Sequence, residues 1–364
     1  MRIHVLTPGF KSPNGCAFLF PMIVWKSALS ELGINVFFFN THNEKLTDAD
    51  LLIVDSKYHK DQWAKETSKL LEQFELWSQH VPVAYFDTSD SSGWVLDELL
   101  PIVDAYFKNQ LFRDKSFYKR SLYGRRLHAD YYHRQSGIED SQPEISKPIN
   151  DVKLINKLRV SWNSGLADYS TLGPLLMTAY QFIPFNGLLR YPKPLNQVAV
   201  KKDNDVSCRF GTNYDRQTVS WQRLEIQRLL TNRLSTNKLR RNEYMNELCR
   251  SKVIVSPFGL GEITLKDFEV FLTGGLLFKP DMSHLETWPD FFQDGVTMIS
   301  HNWNLDDLED KLEECISNYS NFVNIAEAGQ ELYRIHTSGE KAPEIFSLHF
   351  KKIINSVIDN AKYS

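Results

Sequence analysis

The segment SKVIVSPFGLGEITLKDFEVFLTGGLLFKPD, residues 251–281, contains the pattern that decides the fold. An apolar run at residues 253–255 leads into a glycine-containing loop at residues 256–261. An amphipathic stretch follows, then the pair Gly274 and Gly275, then a second apolar run. Short apolar runs that alternate with a helical period are typical of buried parallel strands covered by helices. We therefore predict a strand, loop, helix and strand in an α/β protein.

The predicted loop opens onto the N-terminus of the predicted helix. Free backbone N–H groups and the positive end of a helix dipole favour an anion such as phosphate at that position. Glu262 and Glu269 are seven residues apart, about two helical turns, so both should project from one helix face. Ionised carboxylates only accept hydrogen bonds, which suits the hydroxyls of a ribose or a hexose. A phosphate position beside two such acceptors predicts a nucleotide-sugar site.

The same segment resembles the donor-binding motif of glycosyltransferases with the B-type fold, in which two Rossmann-like domains face each other across a cleft. It is most similar to the exostosin-like and spore-coat-type branch, because a Ser-Pro-x-Gly loop is followed by Glu and then Gly-Gly. Retaining members usually carry two glutamates eight positions apart, whereas Glu262 and Glu269 are seven apart. Retention and inversion therefore stay open, and the resemblance implies that Glu269 accepts from the donor ribose.

The second half of the chain also opens like the donor domain of that family, with an apolar run before a glycine turn and arginines after it. The residues expected to bind the donor are Gly211, Arg216, Arg223, Ser256, Phe258, Gly259, Gly261, Glu262, Glu269 and His284. Arg216 is preferred as the partner of the departing diphosphate because it closely follows the glycine turn, with Arg209 and Arg223 as further candidates. Fixed positive charge stabilises charge as it develops on the leaving group.

Both halves of the chain alternate apolar runs with helical periods, which predicts two Rossmann-like α/β domains facing across a cleft. We expect an acceptor-side domain at residues 1–190 and a donor-side domain at residues 191–341. The linker between them is expected at residues 191–194, because each of its two prolines fixes φ. The resemblance implies that a C-terminal helix, residues 342–364, packs back towards the first domain.

The loop after the predicted fourth strand, residues 86–92, supplies the candidates for a catalytic base. Ligands of such sheets bind beyond the carboxyl ends of the strands, so this loop should face the cleft. Asp90 lies further out and is preferred as the base for the acceptor hydroxyl. Asp87 is the second candidate, or it orders the loop through backbone N–H groups. The acceptor side is expected at Gly9, Trp162 and Asn163.

The composition sets further expectations. A net charge of −3 gives no bulk attraction for nucleic acid. The four cysteines form no CxxC or CxxH pair, which is typical of reduced thiols in a cytosolic protein. We recognise no secretory signal and no apolar run of the ~20 residues that a transmembrane helix needs. The Asp48-Ala49-Asp50 triplet matches a metal-binding DxD pair but precedes a strand instead of ending one.

These patterns predict a metal-independent, cytoplasmic glycosyltransferase that moves a sugar from a nucleotide-sugar to a glycan or lipid-linked acceptor, in surface polysaccharide or glycoconjugate synthesis. The nucleotide-sugar is a co-substrate, and no cofactor is expected. Two alternatives stay open, namely a nucleotide-sugar epimerase of the same architecture and a non-catalytic nucleotide- or sugar-binding protein. Aromatic and basic residues mixed over residues 106–132 leave a peripheral membrane contact open, although an ordinary domain surface has the same composition.

Overall fold

The computed structural model of the chain describes residues 1–230 and 234–362. The strands are Arg2–Leu6 (β1), Asn35–Phe39 (β2), Leu51–Asp55 (β3), Val83–Asp87 (β4), Ala105–Lys108 (β5), Gln110–Phe112 (β6), Leu158–Val160 (β7), Asn204–Ser207 (β8), Ser251–Val255 (β9), Leu276–Pro280 (β10), Leu285–Thr287 (β11) and Ile299–His301 (β12). The helices are Pro13–Val24 (α1), Lys26–Glu31 (α2), Trp63–Ser78 (α3), Leu127–Ser136 (α4), Val152–Ile155 (α5), Gly173–Phe182 (α6), Gln217–Leu230 (α7), Arg241–Arg250 (α8), Leu265–Thr273 (α9), Leu308–Ser317 (α10), Val323–His336 (α11) and Ala342–Lys362 (α12). Short 3-10 turns occur at Glu44–Thr47, Lys115–Lys119, Asn186–Leu188 and Tyr319–Asn321.

Two parallel sheets organise the molecule. The first has the strand order β2-β1-β3-β4-β5-β7, and the second has the order β12-β10-β9-β8. Every pairing within both sheets is parallel. The central strands β3 and β4 are buried along their whole length, as expected for a sheet covered on both faces. The prediction of an α/β protein with parallel sheets is confirmed.

A short antiparallel ribbon links the parts of the chain that contain the two sheets. Strand β6 pairs with β11, with Phe112 opposite Leu285. The side chain of Arg113 extends this contact, since its Nη2 donates to the carbonyl of Leu285 at 2.9 Å. Backbone hydrogen bonds therefore join chain segments that are far apart in sequence.

The long helix α12 packs against the first sheet region. Phe346 contacts the rings of Trp25 and Trp162, at 5.3 and 5.4 Å between centroids. Arg159 Nη1 donates to Ser356 Oγ at 2.8 Å, which ties the helix to β7. The predicted segment 342–364 runs two residues beyond the described part of the chain, and the proposed boundaries at 190/191 and 341/342 stay predictions.

Two buried imidazoles make the stability of this fold depend on pH. Burial lowers the pKa of His301 and of His349 from 6.5 to about 4. The unfolded chain therefore takes up protons below pH 6.5 that the folded chain does not accept until about pH 4. Because the unfolded state binds more protons in this window, stability is full above pH 6.5 and is lost as the pH falls.

We expect the free energy of unfolding to fall by about 3 kcal/mol per histidine as the pH drops through this window. His349→Gln should flatten part of the slope, measured by urea unfolding at a series of pH values. His349 lies on α12 with Nε2 2.7 Å from the carbonyl of Ser161, so the variant also lowers stability at neutral pH. An unchanged slope in the variant would contradict the assignment.

Candidate functional site

A cavity of about 460 Å³ lies where loops from both sheets meet. Its lining consists of Ser12, Pro13, Asn14, Lys57, Asp90, Asn109, Gln110, Ser164, Tyr214, Arg223, Gly259, Leu260, Gly261, Ile263, Thr264 and Leu265. Most of these residues follow the carboxyl end of a strand, namely β1, β3, β4, β5 and β7 in the first sheet and β8 and β9 in the second. This is the edge at which parallel α/β sheets bind ligands.

Two helices begin at the cavity. Helix α1 is capped by Ser12, whose Oγ accepts from the N–H of Gly15 at 3.2 Å. Helix α9 is capped by Thr264, whose N–H donates to Asp267 Oδ2 at 2.8 Å. Since the N-terminal end of a helix carries partial positive charge, both helices favour an anion in the cavity.

Unused backbone donors surround the start of α9. The N–H groups of Gly261, Ile263 and Leu265, all in the cavity lining, donate to no acceptor within residues 1–230 and 234–362. The short glycine loop before them is closed by a bond from the N–H of Gly259 to the carbonyl of Gly261 at 2.9 Å. These free donors can bind oxygen atoms of a ligand.

Arg223 on α7 places a buried guanidinium on the side of the cavity where α9 begins. Its Nε donates to the carbonyl of Phe258 at 2.5 Å, and its Nη1 donates to the carbonyl of Gly211 at 2.9 Å. Burial lowers the pKa of Arg223, and no carboxylate of the described residues lies within 4.0 Å of the guanidinium. A buried cation without a counter-charge is unfavourable, so a bound anion would stabilise it.

Asp90 lies on the wall that comes from the first sheet, and it is the one acidic residue in the lining. Asn14 Nδ2 donates to Asp90 Oδ1 at 2.6 Å, which orients the carboxylate. Gln110 Nε2 donates to the backbone carbonyl of Asp90 at 2.6 Å, which fixes the loop. The second carboxylate oxygen, Oδ2, receives no hydrogen bond from a described residue. Asp90 therefore keeps one oxygen free for a ligand.

The two walls touch at Gly261. A Cβ atom placed there would lie 2.3 Å from the carbonyl oxygen of Asp90 and 3.0 Å from its Cβ. Only glycine allows this approach of the two loops, because the nearest obstacle is backbone.

Gly261→Ala is therefore expected to push the loops apart and to destabilise the fold by about 1–3 kcal/mol. It should also weaken nucleotide binding, because the N–H groups at the start of α9 move. Gly211→Ala is the matched control, since its Cβ would meet only the end of the Lys238 side chain, with Cε at 3.4 Å and Nζ at 3.8 Å. Denaturant unfolding and nucleotide titration of both variants check this. Equal behaviour of the two variants would contradict the close-approach argument.

Glu262 has a different position from the predicted one. Helix α9 begins at Leu265, after the Thr264 cap, so Glu262 lies in the preceding loop. The prediction that Glu262 and Glu269 share one helix face is wrong, because Asp267 closes a capping box with Thr264 and fixes the helix start.

The carboxylate of Glu262 is fully buried and connects distant parts of the chain. Ser92 Oγ donates to it at 2.6 Å and Gln110 Nε2 at 3.2 Å. His128 and His284 approach the same oxygen, Oε1, at 3.6 and 3.8 Å. Burial alone would raise the pKa of Glu262, but the two imidazoles hold it well below the usual range. Glu262 thus joins its own loop to Ser92 and Gln110 behind the cavity, and His284 lies beside it without a hydrogen bond from its ring to a described residue.

Glu269 lies on α9 but outside the cavity lining. Its two carboxylate oxygens accept from Arg241 Nη1 and, at 2.8 Å, from Tyr244 Oη. The structure therefore does not bring Glu269 together with the other candidate donor residues, and its predicted contact with ribose receives no support from its position.

The preferred arginine also lies elsewhere. Arg216 pairs with Glu144, and Arg209 pairs with Glu247 at 2.8 Å, so both charges are matched by carboxylates outside the lining. Gly211 lines a neighbouring hollow of about 540 Å³ that shares Tyr214 with the cavity. Of the three candidate arginines, Arg223 is the one that the structure places in the cavity.

Ser256 and Phe258 position the loop instead of lining the cavity. Ser256 Oγ donates to Asp267 Oδ1 at 2.6 Å. The N–H of Phe258 donates to Gln222 Oε1 at 3.0 Å, and its buried ring lies 4.9 Å from the His128 ring. Gly259 and Gly261, between these anchors and α9, do line the cavity.

Asp87 is part of a buried ion pair. Lys108 Nζ lies 2.5 Å from Asp87 Oδ2, and Tyr106 Oη donates to the same oxygen at 3.0 Å. Burial would raise the pKa of Asp87, but the Lys108 charge lowers it overall. The N–H of Ser89 donates to the other oxygen at 2.9 Å. Both oxygens are engaged, so the position of Asp87 fits the predicted loop-ordering role and not that of a base.

The three residues expected on the acceptor side lie outside the lining. Trp162 is buried and stacks on Phe18 with centroids 5.3 Å apart. Asn163 is buried, and its Oδ1 accepts from the N–H of Gly165 at 2.9 Å. Gly9 has a φ of 83° and occupies the turn before the Ser12 cap. Their neighbours Ser12, Asn14 and Ser164 reach the cavity instead.

Four polar residues of the cavity lining were not among the candidates predicted from the sequence. Lys57 and Asn109 lie just beyond the carboxyl ends of β3 and β5, whereas Asn14 lies in α1 and Gln110 begins β6. Polar residues directly after a predicted strand are the signal that would have identified Lys57 and Asn109.

The Asp48-Ala49-Asp50 triplet, which the sequence does not favour as a metal site, precedes β3 and lies beside the start of β1, outside the cavity lining. Asp48 Oδ2 accepts from Arg2 Nη1 at 2.6 Å, and Asp50 Oδ2 accepts from the N–H of Arg2 at 2.7 Å. Within the described ranges, no three His, Cys, Asp or Glu side chains are grouped so that they could hold a metal ion.

No protein-family model matches the sequence, and no curated protein matches it. Solved structures resemble the chain over nearly its whole length at low identity. They include a glycosyltransferase from Rickettsia africae, with 9% identity, a TM-score of 0.47 and coverage of 100% of this chain and 99% of that one. An alpha-glucosyltransferase in complex with UDP and DNA has 10% identity, a TM-score of 0.46 and coverage of 98% and 99%. Anabaena HepE in complex with UDP-glucose has 10% identity, a TM-score of 0.45 and coverage of 98% and 100%.

Proposed function

We propose that the protein is a glycosyltransferase that uses a nucleotide-sugar donor and that the cavity between the two sheets is its active site. The proposal rests on one observation: groups of opposite charge lie on facing walls of the cavity. The buried Arg223 and the N-terminus of α9 form one wall, and the oriented carboxylate of Asp90 lies on the other. Sugar transfer needs an anion site for the leaving group and, when it inverts the configuration, a base for the acceptor, and these two walls supply both.

The diphosphate of the donor would bind Arg223 and the free N–H groups around Gly261 and Leu265. In the transfer, the bond between the anomeric carbon and the diphosphate oxygen breaks, and the nucleoside diphosphate leaves with the electron pair. The negative charge on the diphosphate then grows, and fixed N–H dipoles and a guanidinium stabilise it without reorganisation. Lys57, also in the lining, adds a second positive charge. These groups support metal-independent transfer.

The acceptor would approach from the side of Asp90. Its hydroxyl oxygen bonds to the anomeric carbon, and the proton passes to Asp90 Oδ2 when the reaction inverts the configuration. Asn14 holds Oδ1 at 2.6 Å, so the free oxygen is pre-oriented. A positioned base of this kind contributes about 10²–10⁴-fold to a rate. We propose a glycan or lipid-linked acceptor.

A thermal-shift screen tests the proposal. The purified protein is heated with UDP, GDP, ADP, CMP and their sugars, with and without EDTA. A nucleotide present at about 100 times its Kd should stabilise the fold by about 2.7 kcal/mol. Stabilisation by one nucleoside diphosphate, unchanged by EDTA, is the expected result. No stabilisation by any of them would contradict the proposal.

A further inference from the structure

The segment from Leu172 to Phe185 forms the most exposed apolar surface of the described chain. Five large apolar side chains in it are more exposed than any others of their kind in residues 1–230 and 234–362. They are Leu172, Leu175, Phe182, Ile183 and Phe185, with exposures of 59%, 67%, 76%, 65% and 65%. We name residues 172–185 the apolar surface segment. Contiguous exposed apolar surface of this kind marks a site of interaction.

The apolar surface segment also lacks charge. No Asp, Glu, Lys, Arg or His occurs between Asp168 and Arg190, although charged residues make up 24% of the whole chain. Helix α6, Gly173–Phe182, buries Met177 against the core and presents Leu175 and Phe182 outward. An apolar face without charge can enter the hydrocarbon of a lipid bilayer without burying a charged side chain.

Positive charge borders the apolar surface segment. Arg190 directly follows the uncharged stretch and is exposed. Lys26 lines a shallow hollow together with Asn186 and Leu189, just beyond the segment. Lys11, also exposed, is adjacent to Phe10, whose ring packs on Tyr180 of α6 at 5.1 Å. Aromatic and aliphatic side chains with cations at the margin are typical of helices that lie in a lipid interface, and the cations favour anionic lipid.

The segment is close to the cavity. Phe10 lies in the loop after β1, which supplies Ser12 to the cavity lining and leads into α1, which supplies Asn14. Ser164, eight positions before Leu172, lines the cavity as well. A surface bound to the apolar surface segment would therefore lie beside the wall that carries Asp90.

We propose that the apolar surface segment docks the protein on an anionic lipid bilayer. Phe182, Ile183 and Phe185 insert among the lipid chains, while Lys26 and Arg190 contact the headgroups. Within the described residues no helix is long and apolar enough to span a bilayer, so the contact is interfacial. One consequence rests on the proposed function. The acceptor is then a membrane-anchored glycolipid or lipid-linked saccharide, which the bilayer presents to Asp90.

The sequence leaves a membrane contact open at residues 106–132, where it favours an ordinary domain surface. In the structure the aromatic side chains of Tyr106, Phe107, Phe112, Tyr118 and Tyr132 are buried in that interval. The exposed apolar side chains lie in the later segment instead, which moves the proposed contact to α6 and the turn after it.

Vesicle sedimentation tests the docking. Wild-type protein is mixed with vesicles of phosphatidylcholine alone and of phosphatidylcholine with phosphatidylglycerol. We expect stronger binding to the mixed vesicles, and at least about tenfold weaker binding for the double variant Phe182→Ser, Phe185→Ser. Leu76→Ser with Leu348→Ser is the matched control, because these side chains are 53% and 50% exposed on other helices. The control should bind vesicles like the wild type.

Size-exclusion chromatography and nucleotide thermal shifts of the same preparations complete the test. Absent vesicle binding by the wild type, or equal binding by the double variant, would overturn the proposal. A wild-type dimer that the double variant converts to a monomer would also overturn it, since a second copy would then cover the segment. Vesicle binding as expected with no nucleotide stabilisation would leave the docking intact and refute the proposed function alone.

Discussion

Arg223→Gln is expected to reduce the affinity for the nucleoside diphosphate by about 10–100-fold and kcat/KM by about 10³-fold. The nucleotide binds more weakly because the variant loses charge-assisted hydrogen bonds, which contribute about 1.5–3 kcal/mol to the free energy of binding. The larger kinetic loss follows because the charge of the diphosphate grows as the bond breaks, so Arg223 stabilises the transition state more than the bound donor. Calorimetric titration and initial-rate kinetics measure the two effects.

The variant also frees the carbonyls of Phe258 and Gly211, which Arg223 bonds at 2.5 and 2.9 Å. We expect a stability loss of about 1–3 kcal/mol in the absence of ligand, so binding is compared at a temperature where both proteins are folded. Arg209→Gln is the matched control. Unlike Arg223, Arg209 has a carboxylate partner, Glu247, and it lies outside the cavity. Equal loss of nucleotide affinity in both variants would refute the assignment of Arg223.

Asp90→Asn is expected to lower kcat by about 10²–10⁴-fold while nucleotide affinity changes little. The amide keeps the size of the side chain and can still accept from Asn14 through Oδ1, but it does not take up a proton. The range is that of a positioned general base. Turnover is measured as release of the nucleoside diphosphate in the presence of acceptor. A variant with wild-type kcat would exclude Asp90 as the base.

Asp87→Asn separates catalysis from folding. It would leave Lys108 buried without its carboxylate, and we expect a loss of about 3–5 kcal/mol in the free energy of unfolding. Any residual folded protein should bind nucleotide like the wild type. Denaturant unfolding at neutral pH gives the value. A stability loss in Asp90→Asn as large as in Asp87→Asn would contradict the distinction between the two residues.

Much of the fold follows from patterns that are local in sequence. The apolar runs on either side of the predicted helix identified strands β9 and β10, the loop at residues 86–92 does follow β4, and the rule for parallel sheets indicated the edge at which loops gather. The start of α9 was also available from the sequence, because Thr264-Leu-Lys-Asp267 is a capping box. Glu262 could have been assigned to the loop on that basis.

The remaining features depend on contacts between distant residues. Arg216 and Glu144 are 72 positions apart, and neither segment shows a pattern that predicts their pairing. The ribbon of β6 and β11 has three residues in each strand, which is too short for a periodic signal. The choice of Arg223 over Arg216 therefore needed the structure, since both arginines lie near the same predicted glycine turn.

A crystal structure with the stabilising nucleoside diphosphate bound tests the central claim most directly. The account predicts that the diphosphate oxygens lie within hydrogen-bond distance of the Arg223 guanidinium and of the N–H groups of Gly261 or Leu265, with Asp90 facing them. Binding of the nucleotide only in the neighbouring hollow lined by Gly211 and Lys238, with Arg223 untouched, would contradict it.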